Sequence, residues 1–178
     1  MSVSPFEAAF LRKVEDRSVV VGVIGLGYVG LPLILSFAEA GFQTLGFDVD
    51  RAKVDEIKAG RSYILHIPED RLKRAAAGGR LSATDDFRRA SEADALIICV
   101  PTPLHRHREP DLPFVTGTLG SLLPHLRPGQ LLSLESTTYP GTTAEELRPP
   151  LEKRGFQIGT DFFLVYSPER EDPGNAEF

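Results

Sequence analysis

The sequence is poor in cysteine, tryptophan and methionine, and it contains no long apolar run. Cys99 is the single cysteine among 178 residues, so no disulfide can form within the chain. This usage is typical of a reducing compartment and predicts a cytoplasmic protein. No apolar stretch approaches the length of a membrane span, and the first residues lack the apolar core of a signal peptide. We therefore expect no membrane partner.

An excess of positive charge is also missing. The sequence has 20 Lys and Arg residues and 25 Asp and Glu residues, so its net charge is −5. This charge gives no reason to expect a nucleic acid as partner. His105 and His107 stand two positions apart in a proline-containing loop without a nearby cysteine, so we predict no metal site. The hydrophobic content of 42% and the length suit one globular domain with a sizeable core.

Apolar, β-branched runs alternate with helical segments along the chain. Such alternation implies right-handed βαβ crossovers and an α/β fold of the Rossmann type, in which helices cover both faces of a doubly wound parallel sheet. We expect Pro149 and Pro150 to distort the end of the last helix. The predicted strands are 19–24, 43–48, 81–84, 95–100, 130–134 and 162–166, and the predicted helices are 28–39, 50–59, 68–78, 85–91, 114–126 and 141–153.

A short amphipathic helix is predicted before the first strand, over residues 4–15. Phe6, Phe10 and Val14 share one face of it, spaced four residues apart. This face could cover the domain's own surface or pack on a neighbouring domain or subunit. We treat residues 1–17 as an N-terminal helical extension and residues 18–178 as the sheet domain.

The strongest motif is a glycine-rich string, Gly25-Leu26-Gly27-Tyr28-Val29-Gly30. It follows the first buried strand and opens a helix within a βαβ unit, which is the context that a dinucleotide-binding turn requires. The first glycine permits a tight turn, the second lets the backbone approach a pyrophosphate, and the third lets the helix pack closely on the sheet. The N–H groups at the start of that helix would then hold the phosphates.

An acidic residue indicates which dinucleotide binds. Asp48 ends the second predicted strand, eighteen residues after Gly30, where a carboxylate can accept hydrogen bonds from both ribose hydroxyls. Its charge would repel a 2′-phosphate, so NAD is favoured over NADP. Arg51 could pair with such a phosphate, or it could be solvated or stack on the adenine.

Several motifs together resemble the N-terminal part of the UDP-glucose/GDP-mannose dehydrogenase family. In chain order they are GLGYVGLPL, FDVD, CVPTPL, EPDL, ESTTYPGTT and YSPERE followed by DPGN, and the resemblance covers residues 18–178. Pro101 stands where members that act on UDP-glucose tend to have glycine. Within the family, the chain most resembles the UDP-N-acetylglucosamine 6-dehydrogenases.

The resemblance implies a reaction and a set of site residues. The family oxidises the C6 hydroxymethyl group of a sugar nucleotide to a carboxylate with two NAD⁺ and one water, through a covalent intermediate on a cysteine. Thr138 matches a threonine near the nicotinamide and the catalytic water, and Glu169 matches a glutamate proposed as a general base or as a water-orienting group. The predicted cofactor-binding residues are Gly25, Gly27, Tyr28, Val29, Gly30, Asp48, Val49, Arg51, Val100, Pro101, Thr102 and Thr138.

The family's nucleophilic cysteine has no counterpart in this sequence. Cys99 lies in the apolar run Leu96-Ile97-Ile98-Cys99-Val100, where we expect a buried, poorly reactive core thiol. We therefore expect the chain alone to bind NAD without completing the oxidation, and the full-length protein to bind a UDP-sugar as a homo-oligomer. Two alternatives remain open: a non-catalytic NAD(H)-responsive module and the cofactor domain of a hydroxyacid-type dehydrogenase.

Overall fold

Six parallel strands form one sheet at the centre of the molecule. The computed structural model describes residues 3–103 and 112–168. The strand order is β3-β2-β1-β4-β5-β6, and every neighbouring pair is parallel. This is the order of the Rossmann fold, as the alternating pattern predicted. The strands are β1 (Val20–Ile24), β2 (Gln43–Phe47), β3 (Leu81–Thr84), β4 (Ala95–Ile98), β5 (Leu131–Leu134) and β6 (Phe163–Tyr166).

Helices cover the sheet on both sides and divide the core into two clusters. One cluster lies between the sheet and the helices that follow β1 and β2, and the other lies beneath the helices that follow β4 and β5. Strands buried on both faces explain why β1, β4 and β5 are apolar almost throughout. The α-helices are α1 (Pro5–Glu15), α2 (Gly30–Glu39), α3 (Arg51–Lys58), α4 (Glu69–Ala77), α5 (Pro113–Leu122) and α6 (Arg148–Lys153).

Prolines account for the largest differences from the predicted helices. The helix predicted over 114–126 ends at Leu122, and a 3₁₀ turn over Leu123–His125 follows, because Pro124 has no N–H to continue the α-helical bonding. The helix predicted over 141–153 is split. Its first part, Thr143–Leu147, is a π-helical turn, and Pro149 and Pro150 lie in the first turn of α6, where a missing N–H costs little. The distortion therefore lies near the middle of the predicted segment and not at its end.

The N-terminal helix packs on the domain's own sheet. Phe10 contacts Phe163 of β6 with ring centroids 6.4 Å apart, and the Ser4 hydroxyl donates to the Thr160 carbonyl. A capping box between Ser4 and Glu7 starts the helix. Phe10 therefore covers the domain's own sheet, whereas Phe6 and Val14 on the same face are 41% and 39% exposed. Packing of these two side chains on a neighbouring domain or subunit stays a prediction.

A buried carboxylate fastens α1 to the amino-terminal edge of the sheet. Asp94 is 4% exposed and accepts hydrogen bonds from Lys13 of α1 at 2.7 Å, from Arg127 at 2.8 Å and from the N–H of Val20 at 3.1 Å. Burial opposes ionisation of Asp94, but these donors outweigh it and hold its pKa below the ordinary value.

Neither a membrane span nor a metal cluster is found in the described ranges. Within residues 3–103 and 112–168, no helix is long and apolar enough to cross a membrane. The same residues contain no group of three or more histidine, cysteine or acidic side chains that could hold a metal ion. His105 and His107 lie outside the described residues.

Replacing Asp94 by asparagine should lower the free energy of unfolding by about 2 kcal/mol near pH 7, because Lys13 and Arg127 lose their charged partner. A carboxylate with a lowered pKa stabilises the fold above its unfolded-state pKa and loses that contribution as the pH falls through its folded-state pKa. The difference between the wild type and the variant should therefore shrink as the pH falls from about 5 towards 3. Urea unfolding at several pH values measures it.

The control for this experiment is Asp70→Asn, on the exposed surface of α4, which should change the free energy of unfolding by less than about 0.5 kcal/mol. An Asp94→Asn effect that does not depend on pH would contradict the role given to the ionised carboxylate.

Candidate cofactor site

A cavity of about 650 Å³ opens at the carboxyl ends of the central strands. Its lining includes Ile24, Phe47 and Val100, which lie at or just beyond the ends of β1, β2 and β4. The strand order reverses between β1 and β4, and ligands of open α/β sheets bind at such a switch point. The volume lies within the range of sites for small molecules and cofactors.

The glycine-rich turn joins β1 to α2 at the centre of this cavity. Gly25 has a φ of 91°, and a side chain there would meet the Cys99 carbonyl oxygen at 2.7 Å. A Cβ on Gly30 would collide with the carbonyl oxygen of Gly25, which is backbone and cannot move aside. Both positions therefore require glycine, one for the turn and the other for the close approach of α2 to the turn.

The middle of the turn presents unpaired backbone donors. A Cβ on Gly27 would meet nothing within 4 Å, so this residue faces open space. Among the described residues, no acceptor pairs with the N–H groups of Gly27, Tyr28 and Val29. Three free N–H groups before the first turn of a helix form a site that suits the phosphates of a dinucleotide.

Asp48 links the end of β2 to the glycine-rich turn. It is 6% exposed and lines the cavity, and its Oδ2 atom accepts from the N–H of Leu26 at 2.9 Å. Oδ1 accepts from the N–H of Asp50 at 2.9 Å. Each carboxylate oxygen can accept more than one hydrogen bond, so Asp48 keeps capacity for a ribose.

Lysine and tyrosine side chains that the sequence analysis did not single out also line the cavity. Lys53 lies one turn into α3 and places its Nζ atom 3.4 Å from Oδ2 of Asp48. Tyr63 follows α3 in the chain and donates from its hydroxyl to the Leu26 carbonyl at 2.6 Å. The position of Lys53 five residues after an acidic strand end was an available signal, whereas no sequence pattern marked Tyr63.

Two hydrogen bonds join the loops that follow β4 and β5. The Thr102 hydroxyl donates to the Thr137 carbonyl at 2.6 Å, and the Ser136 hydroxyl donates to the Val100 carbonyl at 2.7 Å. These four residues and Pro101 line the cavity on the far side of the switch point from Asp48. The cavity thus has a carboxylate at one end, backbone donors in the middle and hydroxyl groups at the other end. In this order, the groups suit the adenosine ribose, the pyrophosphate and the nicotinamide half of a dinucleotide.

Of the two predicted catalytic residues, Thr138 and Glu169, the structure describes only Thr138. Thr138 adjoins the lining residue Thr137, and its buried Oγ1 atom has no hydrogen-bond partner among the described residues. Such an atom is uncommon in a folded protein and indicates a group reserved for another interaction. Glu169 lies outside the described residues.

Most of the predicted cofactor-binding residues come together in the cavity. Arg51 does not: its side chain is 79% exposed and lies 3.8 Å from Asp85 and 4.0 Å from Asp55 in ion pairs outside the lining. Gly30 and Thr138 adjoin the lining without forming part of it. The predicted residues that do line the cavity are Gly25, Gly27, Tyr28, Val29, Asp48, Val49, Val100, Pro101 and Thr102.

Cys99 corrects an expectation from the sequence. The strand predicted to run to Val100 ends at Ile98. Cys99 is half-buried rather than fully buried: it packs against one core cluster and also lines the cavity. Its N–H still donates to the Ile24 carbonyl at 2.8 Å, at the end of β1. The strand cannot continue, because Pro101 has no N–H to give and restricts the residue before it.

Aromatic side chains close the cavity near Asp48. Phe47 and Phe87 pack with ring centroids 5.8 Å apart, and Phe114, at the start of α5, is 52% exposed. The sequence did not distinguish these residues from ordinary core residues, because apolar periodicity does not reveal which side chains border a cavity.

Comparisons with known proteins agree with this geometry. A family model for the UDP-glucose/GDP-mannose dehydrogenase family, NAD binding domain, matches residues 19–178. The UDP-N-acetyl-D-glucosamine 6-dehydrogenase of Pseudomonas aeruginosa is 38% identical over 158 residues, which cover 88% of this chain and 36% of that protein. The UDP-N-acetyl-D-mannosamine dehydrogenase of Escherichia coli (strain K12) is 39% identical over 168 residues, which cover 88% and 38%.

A solved structure shows the same likeness. The GDP-mannose dehydrogenase from Pseudomonas aeruginosa, in a ternary complex, superposes with a TM-score of 0.81 at 30% identity, covering 86% of this chain and 36% of that one. The chain therefore spans a little over a third of the length of the relatives that it matches.

Substituting alanine for Gly27 or for Gly30 should distinguish an effect on NAD⁺ binding from an effect on stability. Gly27→Ala should leave the free energy of unfolding within about 0.5 kcal/mol of the wild type, because the methyl group enters open space. It should weaken NAD⁺ binding roughly tenfold or more, because that space adjoins the phosphate donors. Calorimetric titration and urea unfolding measure the two effects.

Gly30→Ala is the matched variant in the same motif. Its methyl group collides with backbone, so it should cost more than about 2 kcal/mol of stability. If Gly27→Ala bound NAD⁺ as tightly as the wild type, the free N–H groups would not be the phosphate site.

Proposed function

The chain belongs to the UDP-glucose/GDP-mannose dehydrogenase family as its NAD-binding domain, and we propose that the whole protein is a nucleotide-sugar 6-dehydrogenase. Its proposed substrate is a UDP-N-acetylhexosamine, with UDP-N-acetylglucosamine first, because several curated relatives at 38–39% identity are named as dehydrogenases of such sugars. The C6 hydroxymethyl group would be oxidised to a carboxylate, with two NAD⁺ reduced to NADH, one water consumed and three protons released. The observation that carries the proposal is the switch-point cavity, in which a strand-end carboxylate faces a glycine turn with free donors.

At the adenosine end, Asp48 would accept hydrogen bonds from the ribose hydroxyls. Its carboxylate is already held by the N–H groups of Leu26 and Asp50, so its orientation is fixed before a ligand arrives. Lys53 stabilises the negative charge and lies close enough to contact the same ribose. A 2′-phosphate would meet the Asp48 charge directly, which favours NAD over NADP.

At the opposite end, the joined loops after β4 and β5 would position the reacting groups. NAD⁺ supplies a hydride acceptor when bound. Thr102 would lie beside the cofactor, and the buried hydroxyl of Thr138, which lacks a partner among the described residues, would hold the nicotinamide side of the site or a water. We assign Glu169 as the general base on its motif alone. Its role requires a carboxylate with a raised pKa near the sugar.

The remaining assignments concern the assembly. We propose that residues 18–178 are the NAD-binding domain and that residues 1–17 are a helical extension fastened to it through Lys13 and Asp94. A cytoplasmic location fits the single cysteine, and a homo-oligomer fits the proposed full-length enzyme. We assign the covalent intermediate to a nucleophile other than Cys99, because Cys99 is half-buried and its position does not match the cysteine of the family's motif.

Replacing Asp48 by alanine should shift the preference between the two cofactors away from NAD⁺. The Kd for NAD⁺ should rise roughly tenfold or more through loss of charge-assisted hydrogen bonds, whereas the Kd for NADP⁺ should stay constant or fall because Lys53 remains. The ratio of the two Kd values, measured by calorimetry, is independent of the fraction of folded protein. Asp55→Ala, on the exposed side of α3, is the control. An unchanged ratio would remove Asp48 from the ribose site.

Activity tests the proposed substrate. The full-length protein should form two NADH for each UDP-N-acetylglucosamine consumed, and less readily with UDP-glucose or GDP-mannose, as followed by NADH absorbance and product mass. The chain of 178 residues should bind NAD⁺ but form no NADH from the same sugar. NADH formation by this chain alone would contradict the assignment of the nucleophile to a part of the protein outside these 178 residues. Inactivity of the full-length protein towards all UDP-sugars would contradict the proposed function.

A further inference from the structure

The connection between α3 and α4 lies against the glycine-rich turn. Ile64 and Ile67 are each 3% exposed and anchor this connection in the core. Between and beside these anchors, Tyr63 and His66 contact the turn. The Tyr63 hydroxyl donates to the Leu26 carbonyl at 2.6 Å, and the His66 ring stacks on that of Tyr28, with centroids 5.8 Å apart and an interplanar angle of 24°.

The side chain, the N–H and the carbonyl of Leu26 each have a contact that fixes them. Its side chain is fully buried against β2, close to the position that a Cβ on Gly46 would occupy. Its N–H donates to Asp48, and its carbonyl accepts from Tyr63. The Tyr63 hydroxyl is therefore the partner that fixes the peptide group between Leu26 and Gly27.

We propose that Tyr63 is a positioning residue of the cofactor site, which orients a phosphate-binding N–H through its hydrogen bond to the Leu26 carbonyl. The peptide bonds of the described chain are all trans, so the Leu26 carbonyl and the Gly27 N–H point in opposite directions. Holding the carbonyl on Tyr63 aims that N–H away from the α3–α4 connection, and the open space beside Gly27 lies in the cavity. The inference rests on the proposed assignment of the turn to the pyrophosphate.

Tyr63 is suited to act as a permanent donor. Burial, followed by the negative charges of Asp48 and Asp50, raises the pKa of its phenol well above the ordinary value. The hydroxyl therefore stays protonated at neutral pH and above. A phenylalanine would keep the ring contacts but would release the carbonyl.

The variant Tyr63→Phe tests the proposal, with Tyr166→Phe as the control because Tyr166 is exposed on β6, outside the cavity lining. Tyr63→Phe should weaken NAD⁺ and ADP binding about three- to tenfold, which is the effect of losing one orienting hydrogen bond. Adenosine, which lacks phosphate, should bind with less than about a twofold change, as measured by ligand-observed NMR titration. Urea unfolding measures the fraction of each variant that is folded under the binding conditions.

Three results would overturn the inference: unchanged NAD⁺ affinity in Tyr63→Phe, an equal loss for adenosine and NAD⁺, or a loss explained entirely by the unfolded fraction. A failure of the cofactor site itself would look different, because the wild type would then not bind NAD⁺. If the wild type binds NAD⁺ and Asp48→Ala weakens that binding while Tyr63→Phe does not, only the role of Tyr63 is lost.

Discussion

The approach of α2 to the end of β1 is the constraint on which the rest of the site depends. The helix starts so close to the turn that a Cβ on Gly30 would occupy the place of the Gly25 carbonyl oxygen. Because α2 begins there, the N–H groups before its first turn face the switch point between β1 and β4 instead of the core. The backbone thus supplies the phosphate site before any polar side chain is considered.

The second layer of the site consists of side chains that hold this backbone in place. Asp48 accepts from the Leu26 N–H, and Tyr63 donates to the Leu26 carbonyl, so one residue of the turn is fixed from two separate elements. A buried carboxylate with such donors has a fixed direction, and a preformed site avoids the cost of ordering a loop when the ligand binds. The same carboxylate therefore serves both the fold and the proposed choice of cofactor.

The sequence was sufficient to predict the parallel sheet, the glycine-rich turn after its first strand and most of the residues that line the candidate site, because each depends on local pattern. Buried parallel strands need apolar runs, and the turn needs glycine at fixed spacing. Lys53, Tyr63 and Phe87 were not predicted, because their distance from the turn is set by how α3 and the connections after it pack, and no periodicity encodes that distance. The end of β4 was misplaced because a proline three residues later outweighed the apolar run.

The polar groups that stabilise the fold and those that are available to a ligand lie at opposite edges of the sheet, the amino-terminal and the carboxyl edge. At the amino-terminal edge, Asp94 joins Lys13 and Arg127, and the buried Gln130 side chain donates to the carbonyls of Ala90 and Ala93, so the polar groups there are engaged with one another. At the carboxyl edge, backbone N–H groups of the turn and the Thr138 hydroxyl have no partner among the described residues. Unpaired polar groups are costly, and the hydrogen bonds at the amino-terminal edge help to offset the cost of the groups that the carboxyl edge leaves open for a ligand.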